Sequence, residues 1–266
     1  MPGTVPQNRF EDFFTEDIYQ LLKNFLYNYK VRKQAVEKAL ENESISMVLE
    51  VGSGMSPMIT GDPRVVYSDL SLTALSRLKN TLGSGSFVVA DSTRLPFKSR
   101  VFSHVICSEV LEHIEDDTAA IRAMSSVLKP DGRVIITIPH GKYFFSLDDR
   151  FVNHFRRYDL ADIQAKLKEG GFTPIVVRKV LGPLEKITML FVIGCYLLVH
   201  RIGKALPGSG SIRPGKVRTF TNLITTVFKK ANEGFAVLAR ADASIMPRRL
   251  SMVLLIKCAL RKGTEQ

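Results

Sequence analysis

The sequence predicts an α/β fold with a mostly parallel sheet covered by helices on both faces. Short apolar runs rich in β-branched residues recur along the chain, at Met47–Val51, Val65–Tyr67, Phe87–Ala90, Val101–Cys107 and Arg133–Pro139. Segments with helical spacing separate them, at Leu72–Leu82 and Asp117–Leu128. Buried strands that alternate with helices are typical of βαβ crossovers, which generate parallel sheets. Lys129-Pro130-Asp131-Gly132 is predicted to be a turn that leads into the fifth run.

The N-terminal segment carries an aromatic-rich apolar stripe. Its residues fall three and four apart, at Phe10, Phe13, Phe14, Ile18, Leu21, Leu22, Phe25, Leu26 and Tyr29. This spacing predicts an amphipathic helix or helix pair. The stripe is explained by packing against the core, or alternatively by a lid over a pocket.

The C-terminal third predicts two more strands separated by a helical insertion. The strands are Pro174–Leu181 and Met252–Ala259. Between them lie the uncharged run Ile187–Val199, a basic linker (Leu206–Gly215) and a probable helix (Thr219–Arg240). A spanning helix needs about 20 apolar residues, so the uncharged run is too short to cross a bilayer. We divide the chain into an N-terminal helical cap (1–44), an α/β core (45–182), a basic apolar helical insertion (183–250) and a final core strand with tail (251–266).

The positive charge of the chain is concentrated in its second part. Residues 1–150 hold 17 Lys and Arg against 19 Asp and Glu, whereas residues 151–266 hold 20 against 7. Such an asymmetry indicates a phosphate-rich partner, either nucleic acid or an anionic membrane surface, or else ordinary solubility charge.

The cysteines and the N-terminus favour a cytoplasmic protein. Cys107, Cys195 and Cys258 lie far apart and form no CxxC pair, so neither a disulfide framework nor a zinc cluster is indicated. The first residues lack the basic-then-apolar order of a signal peptide.

The stretch VLEVGSGMSPMITG, residues 48–61, places a glycine turn directly after a predicted strand. Glycines after a strand let a nucleotide approach the backbone closely. The dinucleotide fingerprint G-x-G-x-x-G would need a third glycine at position 57, which is Pro57. No Lys-Ser/Thr pair follows the turn, so a phosphate-binding P-loop is excluded as well. A nicotinamide-dependent oxidoreductase is therefore disfavoured.

Three acids follow or end successive strands near this turn. Glu50 precedes the glycines, Asp69 ends the second run, and Asp91 follows the third. The carboxyl ends of parallel strands converge on the crevice where such sheets bind ligands. Asp69 can accept hydrogen bonds from ribose hydroxyls, and Asp91 can accept one from an exocyclic amine. Each aspartate alone is also explained as a helix cap or turn residue.

With these residues in place, the chain resembles the class I S-adenosylmethionine-dependent methyltransferases. The resemblance is to the small-molecule type (methyltransferase type 11), which includes the quinone-biosynthesis enzymes. It spans roughly Met47 to Val180 and is carried by VLEVGSG (48–54), YSDLS (67–71), VVADSTRLPF (88–97), FSHVICSEVLEHI (102–114), LKPDGRVIITIP (128–139) and HFRRYDLADIQAKLKEGGF (154–172). It implies a Rossmann-like seven-stranded sheet in the order 3-2-1-4-5-7-6, with an antiparallel last strand.

The resemblance also implies S-adenosyl-L-methionine as the cofactor and assigns its contacts. Gly52 and Gly54 would face its methionine part, and Glu50 would orient the loop and the amino group. The full set of cofactor-binding residues is Glu50, Gly52, Ser53, Gly54, Asp69, Leu70, Asp91, Ser92, Ser108 and Glu109.

The chain departs from the family pattern at two places. The segment between Glu50 and Asp69 is short, and Ser56-Pro57 replaces the usual third small residue. Ser56 as N-cap and Pro57 at the first helical position predict a brief helix that ends before Gly61. Ser103 also stands where an aspartate is common.

His113 is the candidate catalytic residue. Methyl transfer is an in-line displacement in which the protein mainly positions the nucleophile, but an oxygen nucleophile still needs a base. His113 follows the fourth strand, and the usual pKa of histidine suits that task. A structural histidine at a helix start is an equal alternative. Glu109, Glu112 and His113 match an E-x-L-E-H arrangement that binds a divalent metal in some relatives, but LEH is common in the family and we predict no metal.

His140, His154 and the Arg156-Arg157-Tyr158 segment follow the fifth strand. Arginine pairs well with phosphate or carboxylate, so the segment could hold an acidic substrate. Helix capping and internal ion pairs explain these residues equally well.

The predicted function is methyl transfer to a small or lipid-like acceptor, at oxygen or carbon. The loop after strand four lacks the [D/N]-P-P-[Y/F] signature of nucleic-acid amino-methylating enzymes, so nucleic acid is disfavoured as a partner. An RNA methyltransferase that uses the basic C-terminal region, or a non-catalytic S-adenosylmethionine-binding protein, are the alternatives. The sequence specifies no oligomeric state.

The basic apolar insertion further suggests peripheral membrane association. Apolar side chains beside cations that meet anionic headgroups are typical of proteins lying on a bilayer surface. A buried helix that completes the core, or a dimer interface, would explain the same residues.

Overall fold

Seven strands form one mixed sheet in the order β3-β2-β1-β4-β5-β7-β6. The structure, a computed structural model, describes residues 26–191 and 214–261, with side chains from residue 229 onward in the second range. The strands are β1 (Val48–Val51), β2 (Val65–Asp69), β3 (Ser86–Val89), β4 (Phe102–Ser108), β5 (Leu128–Pro139), β6 (Phe172–Leu181) and β7 (Val253–Leu260). Strands β1 to β5 pair in parallel, whereas β7 is antiparallel to both β5 and β6. The predicted fold class and strand order are confirmed.

Helices cover both faces of this sheet. They are α1 (Tyr27–Leu40), α2 (Leu72–Leu82), α3 (Asp117–Val127), α4 (Leu147–Phe151), α5 (Leu160–Glu169), α6 (183–191) and α7 (Pro214–Ile245). Local sequence sets their ends: the Ser71 hydroxyl accepts a hydrogen bond from Ala74 N at 3.1 Å, and Gly83 ends α2 in the left-handed conformation. Asp116 caps α3 in the same way as Ser71 caps α2.

The hydrophobic core lies in two layers, one on each side of the sheet. One layer packs α3 and α5 against the strands, through residues such as Ile121 and Leu167. The other packs α1, α2 and α7 against the opposite face, through Val36, Leu75 and Ala239. The described part of the N-terminal stripe therefore belongs to the core, as the packing interpretation predicted. Residues 1–25 of that stripe lie outside the described residues.

The loop between β1 and β2 contains no helix, so the predicted helix at Ser56-Pro57 is wrong. Only residues 52–64 connect the two strands. Glu50 accepts hydrogen bonds from the backbone N–H groups of Met58 (2.6 Å) and Ile59 (3.3 Å), and the Tyr29 hydroxyl donates to Pro57 O at 2.7 Å. These side chains thus form hydrogen bonds with the same backbone N–H and C=O groups that would begin a first helical turn.

The predicted turn at Lys129–Gly132 is instead part of β5. The register jumps from the pair Phe102–Leu128 to the pair His104–Arg133, so these residues bulge out of the ladder. The strand therefore starts at Leu128, directly after α3.

The helical insertion is described only in part. Residues 187–191 of the predicted apolar run are helical, whereas residues 192–213, with Cys195 and most of the predicted linker, lie outside the described residues. The predicted helix Thr219–Arg240 falls within the longer α7. Among the helices that the structure describes, none combines the length and apolarity needed to traverse a bilayer.

Candidate functional site

The glycine turn lies at the carboxyl ends of β1, β2 and β4. Gly52 (φ +68°) and Gly54 (φ +52°) both adopt left-handed conformations. The N–H groups of Gly52 and Ser53 donate to Ser68 O, at 2.7 and 3.1 Å. A Cβ atom at Gly52 would lie 2.4 Å from Val110 Cγ2, so the loop packs directly against the segment that follows β4. Position 52 therefore requires glycine on both conformational and steric grounds.

Asp69 joins the glycine turn to the ends of β2 and β3. Its Oδ2 accepts a hydrogen bond from Gly54 N and its Oδ1 accepts one from Ser71 N, both at 2.8 Å. Ala90 N donates to Asp69 O at 3.0 Å, which brings Asp91 close to the same place. The contacts with Gly54 N and Ser71 N fix the orientation of the Asp69 carboxylate. Beside it, the Leu70 side chain is 42% exposed at the mouth of the crevice.

Asp91 and Ser92 form the turn that follows β3. Asp91 Oδ1 accepts hydrogen bonds from Thr93 N (2.8 Å) and Thr93 Oγ1 (2.7 Å), and Arg94 lies 3.6 Å from Oδ2. Burial raises the pKa of Asp91, but these partners outweigh it and the pKa lies below its usual value. Asp91 is thus an ionised acceptor in a fixed turn.

Glu50 is buried beneath the glycine turn. Burial raises the pKa of its carboxyl to about 7, against the opposing effect of the two N–H donors from Met58 and Ile59. In this structure both carboxylate oxygens fix the short loop, which matches the loop-orienting part of its predicted role. Its predicted contact with the cofactor amino group stays a prediction.

Ser108 and Glu109 are tied together by Thr137, a residue that sequence reasoning missed. The Thr137 hydroxyl donates to Glu109 Oε1 at 3.0 Å and lies 2.8 Å from Ser108 Oγ. A threonine inside the buried run IITIP was the available signal. Arg32 of α1 was missed as well: its Nη1 lies 3.1 Å from Glu109 Oε2, with both side chains largely buried. No local pattern in the sequence indicates that ion pair.

A second polar group lies beyond β4, in the segments around Glu112 and His154. Glu112 is fully buried, and neither carboxylate oxygen has a hydrogen-bond partner among the described residues. His154 Nε2 lies 3.7 Å from Glu112 Oε1, and His154 Nδ1 lies 3.0 Å from Asp149 Oδ1. The candidate base His113 lies beside them, with ring centroids of His113 and His154 4.6 Å apart. Burial raises the pKa of Glu112 well above its usual value.

The basic residues after β5 form internal ion pairs. Arg157 Nε donates to Asp149 Oδ1 at 2.7 Å, and Arg156 and Tyr158 both bind Asp117. Lys186 of α6 lies 2.8 Å from Asp149 Oδ2. His140 is buried, with Nδ1 2.9 Å from Ser251 O. Of the two interpretations of this segment, the structure shows the internal pairing.

The loop has the chemistry that a polar nucleotide-like ligand needs. The hydroxyls of Ser53 and Ser56 are buried without a hydrogen-bond partner among the described residues. Buried hydroxyls in native proteins nearly always find a partner, and a ligand in the crevice could supply one. Together with the acceptors Asp69 and Asp91, they fit the cofactor that the resemblance implies.

Comparisons with known proteins agree with this geometry. Residues 49–136 match a family model described as a methyltransferase domain. A demethylmenaquinone methyltransferase of Streptomyces griseus is 32% identical over 108 residues, which are 39% of this chain and 47% of that protein. A phosphoethanolamine N-methyltransferase of Arabidopsis thaliana is 30% identical over 165 residues, 55% of this chain and 32% of that protein. The chain thus spans less than half the length of either relative.

Solved structures show the same fold. One is the complex between the Haloferax volcanii Trm112 methyltransferase activator and the putative methyltransferase. The match covers 97% of this chain and 100% of that chain, with a TM-score of 0.59 and 12% identity. At this identity the likeness shows the architecture alone.

Proposed function

Because the chain carries a class I S-adenosylmethionine-dependent methyltransferase domain, we propose that it transfers a methyl group to a small or lipid-like acceptor, at oxygen or carbon. The observation that carries this proposal is the hydrogen bond between Asp69 Oδ2 and Gly54 N, with Ala90 N bound to Asp69 O. These contacts gather the glycine turn, the ribose acceptor and the Asp91 turn at one edge of the sheet.

The chain's own residues position the reactants. S-adenosylmethionine supplies an activated methyl group when it is bound. Asp69 would accept hydrogen bonds from the ribose hydroxyls, and Asp91 with Ser92 would meet the adenine. Gly52, Ser53 and Gly54 would lie along the methionine part, with Ser108 and Glu109 at its end. Such positioning contributes to catalysis because it removes the entropic cost of bringing two reactants together.

We infer that His113 is placed to take a proton from an acceptor hydroxyl. It follows β4 in a short 3-10 helix, Leu111–His113, four residues after Glu109. Its Nδ1 lies 3.3 Å from Asn153 O, so Nδ1–H donates there and the other ring nitrogen carries the lone pair. In the neutral imidazole, Nε2 is thus the atom that would take the proton.

The acceptor class rests on the relatives and on one surface hollow. Quinone-biosynthesis enzymes such as demethylmenaquinone methyltransferase are among the relatives. An open surface hollow of about 440 Å³ beyond β5 is lined by the rings of Tyr143 and Phe144, by Asp159, and by Arg248 and Arg249. Aromatic rings beside guanidinium groups suit an acceptor with an apolar body and an anionic group. Incubation of a cell lipid extract with methyl-labelled cofactor identifies the acceptor directly.

Asp69→Asn is expected to weaken S-adenosylmethionine binding by about 10- to 150-fold. The amide keeps the shape but removes a charge and one acceptor, and each hydrogen bond to a charged group contributes about 1.5–3 kcal/mol. Isothermal titration calorimetry with S-adenosylmethionine and with NAD(P) measures this. Asp62→Asn is the matched control, since Asp62 lies in the same loop and pairs only with Arg64 among the contacts described. A folded Asp69→Asn protein that binds within threefold of the wild type contradicts the proposal, and so does binding of NAD(P) alone.

We propose further that the helical insertion docks on an anionic membrane surface. Ile187 on α6 is 64% exposed and Ile245 on α7 is 77% exposed. Lys230, Arg248 and Arg249 lie in the same part of the chain. Each Lys or Arg side chain near an anionic membrane surface contributes about 1 kcal/mol to binding. Apolar side chains inserted beside them add the burial of apolar area.

The full chain is expected to float with vesicles that contain anionic lipid, and not with zwitterionic vesicles, at physiological salt. Arg248→Glu with Arg249→Glu should reduce flotation at least fivefold, because each reversal replaces an attraction with a repulsion. Equal recovery from both vesicle types, or no flotation at all, removes the membrane from the proposal and leaves methyl transfer untouched.

A further inference from the structure

Glu112, His113 and His154 form a compact group of potential metal ligands. One ligand atom from each residue lies within 4.8 Å of those of the other two. His154 comes from the loop before α5, far along the chain from the other two residues, so the group exists only in the folded protein. Metal binding by this group would require no bound S-adenosylmethionine.

The Glu112 carboxyl group is buried and accepts no hydrogen bond from the described residues. Its side chain is 0% exposed, and both oxygens are without a hydrogen bond among the described residues. A buried carboxyl group requires a proton, a cation or a cationic side chain to be tolerated. The two nearest arginines serve other acids: Arg157 binds Asp149 and Arg32 binds Glu109. Glu112 therefore faces His154, at 3.7 Å, with its acceptor capacity unused.

Both histidines are held in the tautomer that presents Nε2 as a ligand. His154 Nδ1 lies 3.0 Å from Asp149 Oδ1, and His113 Nδ1 lies 3.3 Å from Asn153 O. Each oxygen accepts a hydrogen bond, so in the neutral imidazole the proton sits on Nδ1 and Nε2 carries the lone pair. An outer carboxylate or carbonyl that fixes the second ring nitrogen is the usual support of metal-binding histidine. Asp149 is itself held by Arg157 and Lys186.

Backbone geometry supports the same arrangement. Asn153 adopts a left-handed conformation with φ +60°, which turns its carbonyl oxygen toward His113. Such a conformation costs about 1 kcal/mol outside glycine and persists where the surroundings hold it. The strained residue thus positions the outer partner of one proposed ligand.

The spacing suits a small cation. Two ligands about 2.1 Å from a tetrahedral metal lie about 3.4 Å apart. The Glu112–His154 separation of 3.7 Å needs only a small closing movement. Two imidazoles with one carboxylate favour a first-row transition metal such as zinc, whereas magnesium prefers ligand sets made of oxygen.

We propose that Glu112, His113 and His154 bind one divalent first-row transition metal ion and leave at least one coordination position open. This differs from the metal-free site that the sequence predicted. The proposed ligand set also differs from the one that the E-x-L-E-H pattern suggests. Glu109 binds Arg32 and Thr137, and His154 takes its place as the third ligand. Where the proposed methyl transfer holds, a hydroxyl on the metal would lose its proton more readily, and His113 would be a ligand rather than the base.

The test is metal binding by the full chain, prepared without a polyhistidine tag and stripped with a chelator. We expect about one equivalent of Zn²⁺ to bind in calorimetry, Co²⁺ to give visible d–d absorption bands, and Mg²⁺ to bind at least 100-fold more weakly. Glu112→Gln and His154→Gln should each weaken Zn²⁺ binding at least tenfold. Asp149→Asn, which touches only the outer partner, should weaken it less.

The matched controls are Glu43→Gln and His104→Gln. Glu43 and His104 form another His–Glu pair, at 3.6 Å, in which His104 is buried and Glu43 is partly exposed; Lys257 binds Glu43 there and no second histidine belongs to that pair. Both controls should bind Zn²⁺ like the wild type. If a ligand variant does not fold, the rise in melting temperature of the wild type with Zn²⁺ still tests the site, since only binding to the native state produces it. No binding up to about 1 mM Zn²⁺, or equal binding in folded ligand variants, overturns the proposal and leaves the methyl-transfer proposal standing.

Discussion

Gly52→Ala is expected to abolish measurable S-adenosylmethionine binding and to lower the free energy of unfolding by about 2–4 kcal/mol. The added Cβ would lie 2.4 Å from Val110 Cγ2, at a φ of +68°. Overpacking costs about 1–3 kcal/mol, and a left-handed conformation costs about 1–2 kcal/mol more for a residue with a side chain. The loop must therefore move, and Gly54 would lose its alignment with Asp69. Urea denaturation and calorimetry measure the two effects.

Gly61→Ala is the control that separates backbone strain at a positive φ from steric contact with Val110. Gly61 has a φ of +78° in the same loop, but a Cβ there would meet nothing within 4 Å. This variant should lose about 1–2 kcal/mol and retain cofactor binding. Adding Val110→Ala to Gly52→Ala should restore part of the lost stability. Equal behaviour of the two glycine variants would show that contact with Val110 does not shape the loop.

The second large effect concerns pH. The pKa of Glu50 is raised to about 7 in the folded protein from its usual 4.5, so the native state binds a proton that the unfolded state has released. The Glu50 contribution to stability is complete below pH 4.5 and is lost as pH rises through 7. By linkage, a shift of this size corresponds to about 3 kcal/mol. The protonated side chain and glutamine have nearly the same shape.

Glu50→Gln should therefore remove about 2.5 kcal/mol of the fall in unfolding free energy between pH 5 and pH 8. Urea titrations of both proteins at four pH values measure the difference. Glu37→Gln, on the exposed side of α1, is the control for the loss of one carboxyl group. Bound S-adenosylmethionine should reduce the difference between the pH profiles of wild type and Glu50→Gln, because the ammonium group of the cofactor, if it lies near Glu50, favours the ionised carboxylate. If the unfolding free energies of wild type and Glu50→Gln change in parallel with pH, burial does not raise the pKa of Glu50.

Much of the sheet could be predicted from the sequence because its signals are local. Apolar runs marked the strands to within a few residues, and the strand order came with the family resemblance. The loop after β1 could not be predicted in the same way. Ser56 and Pro57 are good helix-starting residues, but the Glu50 carboxylate and the Tyr29 hydroxyl organise the same backbone groups first. Tertiary contacts overrode local preference at that point.

The candidate site also combines residues that local signals place with residues that only tertiary packing places. Asp69, Asp91 and the glycines follow strands directly, so strand prediction alone places them at one edge. Arg32 reaches Glu109 from α1, and His154 reaches Glu112 from beyond α4. Contacts of this kind depend on how helices pack over the sheet. Residue spacing and composition in a single sequence do not indicate such contacts.

The position of β7 between β5 and β6 has a consequence for how the chain folds during synthesis. In the described sheet β6 pairs only with β7, so β6 has no partner strand until residues 182–260 have been made. At roughly 5–20 residues per second this takes several seconds. During that time β1 to β5, with the edge that carries the glycine turn and Asp69, can already assemble. We expect β6 and the insertion to be the part of the nascent chain most exposed to chaperones and proteases.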